Sequence, residues 1–207
     1  MNMTNTILVR RPTAAPAGEV RAPVFDLRRP IAGVNVGIRT DGAWRSWRLI
    51  AQVWDEYLRR DGAHTTLVET GGMVGQTGAN DRKHIEELAN SVECAIVGLG
   101  TCGSCTTFTI KDSVVVASKE KPVVAVVTEE FEVHGHNVAT HLGHGDLRIL
   151  VLPYPLEARP EAELRAIADE FYPRALELLG VTGPAQAGGP DGRPDSAGDG
   201  VPEAGAA

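Results

Sequence analysis

The stretch from Cys94 to Glu120, CAIVGLGTCGSCTTFTIKDSVVVASKE, passes through three kinds of chain in order. Cys94–Gly98 is a short run without a polar side chain. Residues 98–105 then bring Gly98, Gly100 and Gly103 together with Cys102 and Cys105. From Thr106 to Glu120 the residues Ile110, Val114 and Ala117 hold one face at helical spacing. That spacing predicts a helix in spite of the β-branched run Val114–Val116. A strand apolar on both faces suits a parallel sheet covered by helices. The stretch therefore reads as strand, tight turn and helix.

The same alternation extends in both directions. Further β runs are predicted at Val34–Ile38, His64–Val68, Pro122–Val127 and Leu147–Leu152. Helical periodicity covers Trp44–Arg60, where Trp47, Ile50, Ala51, Trp54 and Leu58 are in phase before Asp61–Gly62 ends it. It returns over Asp81–Ser91 and over Pro160–Leu179, with Pro160 at a first-turn position. Glu129–Leu142 reads as a polar helix or loop, and Gly71–Gly78 as a glycine-rich loop and a mobile wall of the site. Five β runs separated by helices predict an α/β fold: a three-layer, doubly wound, mainly parallel five-stranded sheet of the flavodoxin-like kind. Ligands of such sheets bind at the carboxyl ends of the strands, and each chemistry-bearing segment here directly follows a strand.

Of the 207 residues, 1–32 carry Pro12, Pro16, Pro23 and Pro30 with no regular period, which predicts an extended arm. The α/β domain is expected over 33–180. Residues 181–207 are almost wholly Gly, Pro, Ala, Asp and Ser, too poor in apolar groups to offset their ordering entropy, and disorder is expected there. The formal net charge of −7 argues against nucleic acid or an anionic membrane as the main partner, since both are bound by a basic face. The basic cluster Arg10, Arg11, Arg21, Arg28 and Arg29 reads as a solvated arm or one lying on a partner subunit. No apolar run approaches the roughly 20 residues that span a bilayer, and the N-terminus lacks the pattern of a secretory signal. Three cysteines are too few for a secreted disulfide framework, so a reducing, cytoplasmic setting is expected.

In that setting Cys102-Gly103-Ser104-Cys105 carries the chemistry. At a helix start, unpaired backbone N–H groups and the positive end of the helix dipole stabilise a thiolate. A second thiol one turn on can attack a disulfide formed at the first, and the glycines allow close approach by a substrate. Three readings stay open on these residues: thiol redox or nucleophilic chemistry, a metal site completed by histidines, and structural burial with an anion bound at the helix N-terminus. Cys94, inside its apolar run, reads as a small buried hydrophobe.

The run GLGTCGSCTTFTIKD (98–112) resembles the signature of the UGSC family, named for a selenocysteine–Gly–Ser–Cys motif whose first position is cysteine in many members. EKPVVAVVTEEF (120–131) resembles the family's following strand and loop, and DLRILVLPYPLE (146–157) its Pro–His–Pro–Leu ending, with Tyr154 in place of the histidine. The likeness is strong over about 92–157 and weaker over 33–91. The family in turn resembles the selenoprotein B subunits of glycine and proline reductases. The resemblance implies a thiol- or selenol-dependent oxidoreductase with Cys102 in the selenocysteine position as nucleophile and Cys105 as resolving thiol.

Other candidates surround the pair. Gly100, Thr101, Gly103, Ser104, Thr106, Thr128, Glu129 and Phe131 are expected to contact substrate, although Thr106 and Thr107 also suit helix capping. Glu129 equally suits a helix start. His134, His136, His141 and His144 could shuttle protons or bind a metal, or form a surface run; no closed zinc spacing is present. Gly71–Gly78 lacks the Gly-Lys-Ser/Thr ending of a phosphate loop. The expected function is a thiol-dependent oxidoreductase acting on a small-molecule substrate and regenerated by an external dithiol, with no organic cofactor or metal. A partner-dependent reductase subunit and a Cys/His metal-binding protein are the alternatives. A sheet edge and the amphipathic last helix make a homodimer a candidate.

Overall fold

The computed structural model describes residues 22–71 and 75–183. The predicted tail beyond 183 and the arm before 22 lie outside the described residues. Among the described residues five strands and five α-helices alternate: β1 (Asn35–Thr40), α1 (Arg45–Arg60), β2 (His64–Glu69), α2 (Gly75–Ser91), β3 (Cys94–Gly100), α3 (Gly103–Ala117), β4 (Val123–Thr128), α4 (Glu132–His141), β5 (Arg148–Leu152) and α5 (Glu161–Leu178). All four strand pairings are parallel, in the order β2-β1-β3-β4-β5. This is the flavodoxin-like order, whose ligand crevice lies between β1 and β3, where the chain reverses its direction of winding.

Strand alternation sorts the core into two layers. Val36, Ile38, Cys94, Ile96, Val124 and Val126 face α1 and α5, while Ala95, Val97, Val123 and Ala125 face α2, α3 and α4. β3 and β4 are buried along their whole length, as their unbroken apolar runs require. Trp47 and Trp54 of α1 are fully buried, ring edge to ring face at 5.6 Å. At Gly98 a Cβ would stand 2.6 Å from the Trp47 ring, so only glycine lets this helix lie so close to β3. The pairing of β3 with β4 shifts between Val97 and Gly100, just before the cysteine pair.

Residues 22–32 form no helix or strand and run against the end of α5. There Leu27 N–H donates to the Leu179 carbonyl at 2.9 Å and Arg28 N–H to Gly180 at 2.8 Å. Two expectations need correction. Glycine's weak helix preference suggested a loop through Gly78, yet α2 begins at Gly75. Intrinsic propensity is a weak prior, and here α2 packs on α3 with Gly78 buried. β1 also runs two residues past its apolar stretch, through Arg39 and Thr40, and both of these are buried. No helix among the described residues is long and apolar enough to cross a membrane.

Candidate functional site

The cysteine pair sits where β3 hands over to α3, at the carboxyl ends of the strands. Cys102 is the N-cap of α3 in extended conformation (φ −149°, ψ 168°), and its Sγ accepts the Cys105 N–H at 3.0 Å. A sulfur thus takes the place of the usual Ser or Asp oxygen and satisfies one of the helix's free N–H groups. Ser104 Oγ lies 3.4 Å from the same sulfur. The two sulfurs are bonded as a disulfide, with the Cα atoms 5.1 Å apart. Cys94 stays apart from this pair. It is wholly buried in the α1/α5 layer, and burial pushes its thiol up to about 12.

Around the pair, the predicted residues divide into those that hold the turn and those that are open. Thr106 is buried and donates to the Cys102 carbonyl at 2.7 Å, which keeps the first turn closed. Thr128, also buried, donates to the Gly100 carbonyl at 3.4 Å and to Thr101 Oγ1 at 3.2 Å, tying the end of β4 to the turn. A Cβ at Gly100 would meet Thr106 Oγ1 and Val127 at 2.9 Å, whereas one at Gly103 would meet nothing within 4 Å. Gly103 and Ser104 are exposed. Glu129 accepts the backbone N–H of Tyr154 at 3.2 Å, and the Phe131 and Tyr154 rings meet edge-on at 6.5 Å. The loops after β4 and β5 therefore form one wall.

The four histidines do not form a cluster. α4 runs from the carboxyl end of the sheet to its amino end, so only its first turn reaches the cysteine turn. There His134 Nε2 stands 3.0 Å from the Gly103 carbonyl and 3.2 Å from Thr107 Oγ1. His136 and His141 are exposed, while His144 lies near Ala22 and Phe25, and its burial lowers its pKa. Among the described residues no three His, Cys, Asp or Glu side chains are grouped to hold a metal ion.

This end of the sheet also carries a cavity beside the cysteine pair. It measures about 320 Å³ and opens between α2 and α3 over the end of β1; of the predicted residues Cys105 lines it, as do Gly71 and Gly78 from the expected glycine-rich wall. Cys105, Phe108 and Asp112 follow one another along one face of α3 and form its wall. Arg39, 5% exposed at its side chain, crosses the floor. Its Nε lies 3.0 Å from Asp112 Oδ2 and donates to Thr70 Oγ1 at 2.7 Å, and Nη1 donates to the Gly98 carbonyl at 2.8 Å. Burial pushes the Asp112 carboxyl up to about 6, outweighing the guanidinium beside it, and Asp81 adds to the rise. Asp41, on the rim, is also raised by burial against the pull of Arg39. The signals for these residues were Arg39-Thr-Asp41 at the carboxyl end of the first strand and an acid seven positions after Cys105.

A doubly wound α/β domain with a Cys-x-x-Cys closing the first turn of the helix after its third strand defines the class. A family model carries the assignment further: the model of the UGSC family matches residues 8–181. The chain belongs to the UGSC family. No curated protein matches it.

Proposed function

We propose that the chain is a thiol–disulfide oxidoreductase in which Cys102 attacks a small electrophilic substrate and Cys105 resolves the adduct. The observation that carries this reading is the bonded pair of sulfurs across the first turn of α3, with Cys102 as its N-cap. In the reduced protein a Cys102 thiolate would keep the Cys105 N–H, have the Ser104 hydroxyl close by, and sit on the positive end of the helix dipole.

For a small disulfide R–S–S–R the cycle balances in two exchanges. The Cys102 thiolate attacks one sulfur, forming Cys102–S–S–R and releasing RS⁻. The Cys105 thiolate then attacks Cys102 Sγ, forming the intramolecular disulfide and releasing the second RS⁻. The substrate gains two electrons and the cysteine pair loses two; an external dithiol restores the pair by the reverse exchanges. In this reading the exposed Gly103 and Ser104, with Thr101, Glu129 and Phe131, meet the substrate. Gly100, Thr106 and Thr128 act by holding the turn.

The test is to trap the intermediate. Cys105→Ser, reduced and mixed with hydroxyethyl disulfide, should accumulate one mercaptoethanol adduct on Cys102, stable until a thiol is added. The wild-type chain should pass through to its internal disulfide. A Cys105→Ser protein that takes up no adduct would sink the reading.

A further inference from the structure

Behind the disulfide lies a buried ion pair that the cycle above leaves without a task. The resolving step has a matching need. A thiol of ordinary pKa, about 8.5, is mostly protonated at neutral pH and must lose its proton before it attacks. We infer that the Asp112 carboxylate takes the proton of the Cys105 thiol, through water in the cavity between α2 and α3, as Cys105 attacks the adduct on Cys102. The inference rests on the dithiol cycle proposed above and assigns a base to its second step.

Geometry supports the role. Cys105 and Asp112 lie on one face of α3, two turns or about 10 Å apart along the axis, and line the same cavity of about 320 Å³. Helical side chains share one lean toward the N-terminus, which leaves this axial separation between Cys105 and Asp112 for water to bridge. The cavity has room for about ten waters, at about 30 Å³ of liquid volume each. Asp112 is held by Arg39, which is itself fixed by Thr70 and the Gly98 carbonyl, so the carboxylate is anchored on β1. The charged groups around it are Arg39 from β1, Asp81 and Arg82 from α2, Lys111 from α3 and Asp41 from the loop after β1. With its carboxyl pushed up to about 6, Asp112 is ionised at neutral pH and a better base than an ordinary aspartate. The proton balance closes. Cys105–SH and Asp112–COO⁻ become Cys105–S⁻ and Asp112–COOH, the sulfur–sulfur bond forms, and the proton on Asp112 is then free for the departing RS⁻ or for solvent.

The test uses the reduced full chain and one equivalent of the chromogenic disulfide of thionitrobenzoate, followed by stopped flow. The first release reports attack by Cys102 and the second reports resolution by Cys105. In the wild type the second phase should rise with pH through about 6 and then level, while the first shows no such step. Asp112→Asn should slow the second phase about 10²-fold at neutral pH and move its rise toward about pH 8.5. Asp112→Glu should recover part of the rate. A wild-type second phase with no inflection near 6 overturns the inference whether or not Asp112→Asn folds. So does an Asp112→Asn protein with wild-type rate and profile, which would leave Asp112 as the structural partner of Arg39. Absence of any second release in the wild type would instead remove the dithiol cycle itself.

Discussion

Cys102→Ser should abolish turnover of hydroxyethyl disulfide by the chain, a loss on the order of 10³-fold or more, while the fold survives. The two halves of this expectation have separate causes. A serine hydroxyl is a preferred N-cap and can accept the Cys105 N–H that Cys102 Sγ now takes at 3.0 Å. The disulfide closes only a short loop, for which the chain-entropy contribution is about 2 kcal/mol. Thermal unfolding of the variant should therefore resemble that of the reduced wild type. A hydroxyl cannot form the mixed disulfide, however, and Cys105 lacks the N-cap position that stabilises a thiolate. Turnover measured by thiol release should fall to background. A variant that keeps a substantial rate would show that Cys105 or another group is the nucleophile.

Arg39→Met should cost about 3–5 kcal/mol above pH 7, the largest stability loss expected from one substitution at this site. The guanidinium is almost wholly buried and pairs with Asp112, and its removal leaves a buried carboxylate without a cation. The loss should depend on pH. The folded pKa of Asp112, about 6, stands above its unfolded value of about 3.9. Its contribution to stability is therefore complete below the unfolded value and is lost as pH rises through about 6. Removing Arg39 takes away the group that favours the charged form, so the variant's deficit should be smallest near pH 5 and grow toward pH 8. Adding Asp112→Leu should recover most of the loss, because no lone charge then remains. Urea denaturation at the two pH values checks both points; an equal deficit at pH 5 and pH 8 would mean that the pair acts only through its packing.

The contrast between these two sites shows what the sequence could and could not reveal. β3 and β4 were legible because they are buried on both faces and their sequences carry no polar interruption. The placement of the cysteine pair was legible because its geometry is local: both cysteines belong to one helix turn, and a helix start is marked by its neighbours. Arg39 and Asp112 were not, since they become a pair only when β1 and α3 pack together and each alone resembles a surface charge. The end of β1 was cut short for the same reason. An arginine after an apolar run reads as the edge of a strand unless its buried partners are known. The histidines were ambiguous in sequence for the opposite reason. Their closeness in sequence left a cluster and a surface run both open; α4 carries His136 and His141 to exposed positions away from the site, and of the four His134, in its first turn, touches the cysteine helix.

The most direct measurement is a redox titration of the full chain in dithiothreitol buffers, trapped under native conditions with excess N-ethylmaleimide and weighed intact. The account predicts molecules with either no alkyl group or two, both on Cys102 and Cys105, with a single midpoint. Cys94 should stay unlabelled in the native protein, since it is buried and its thiol is pushed up to about 12. Singly labelled species throughout the titration, or a pair that stays reduced in every buffer, would contradict it.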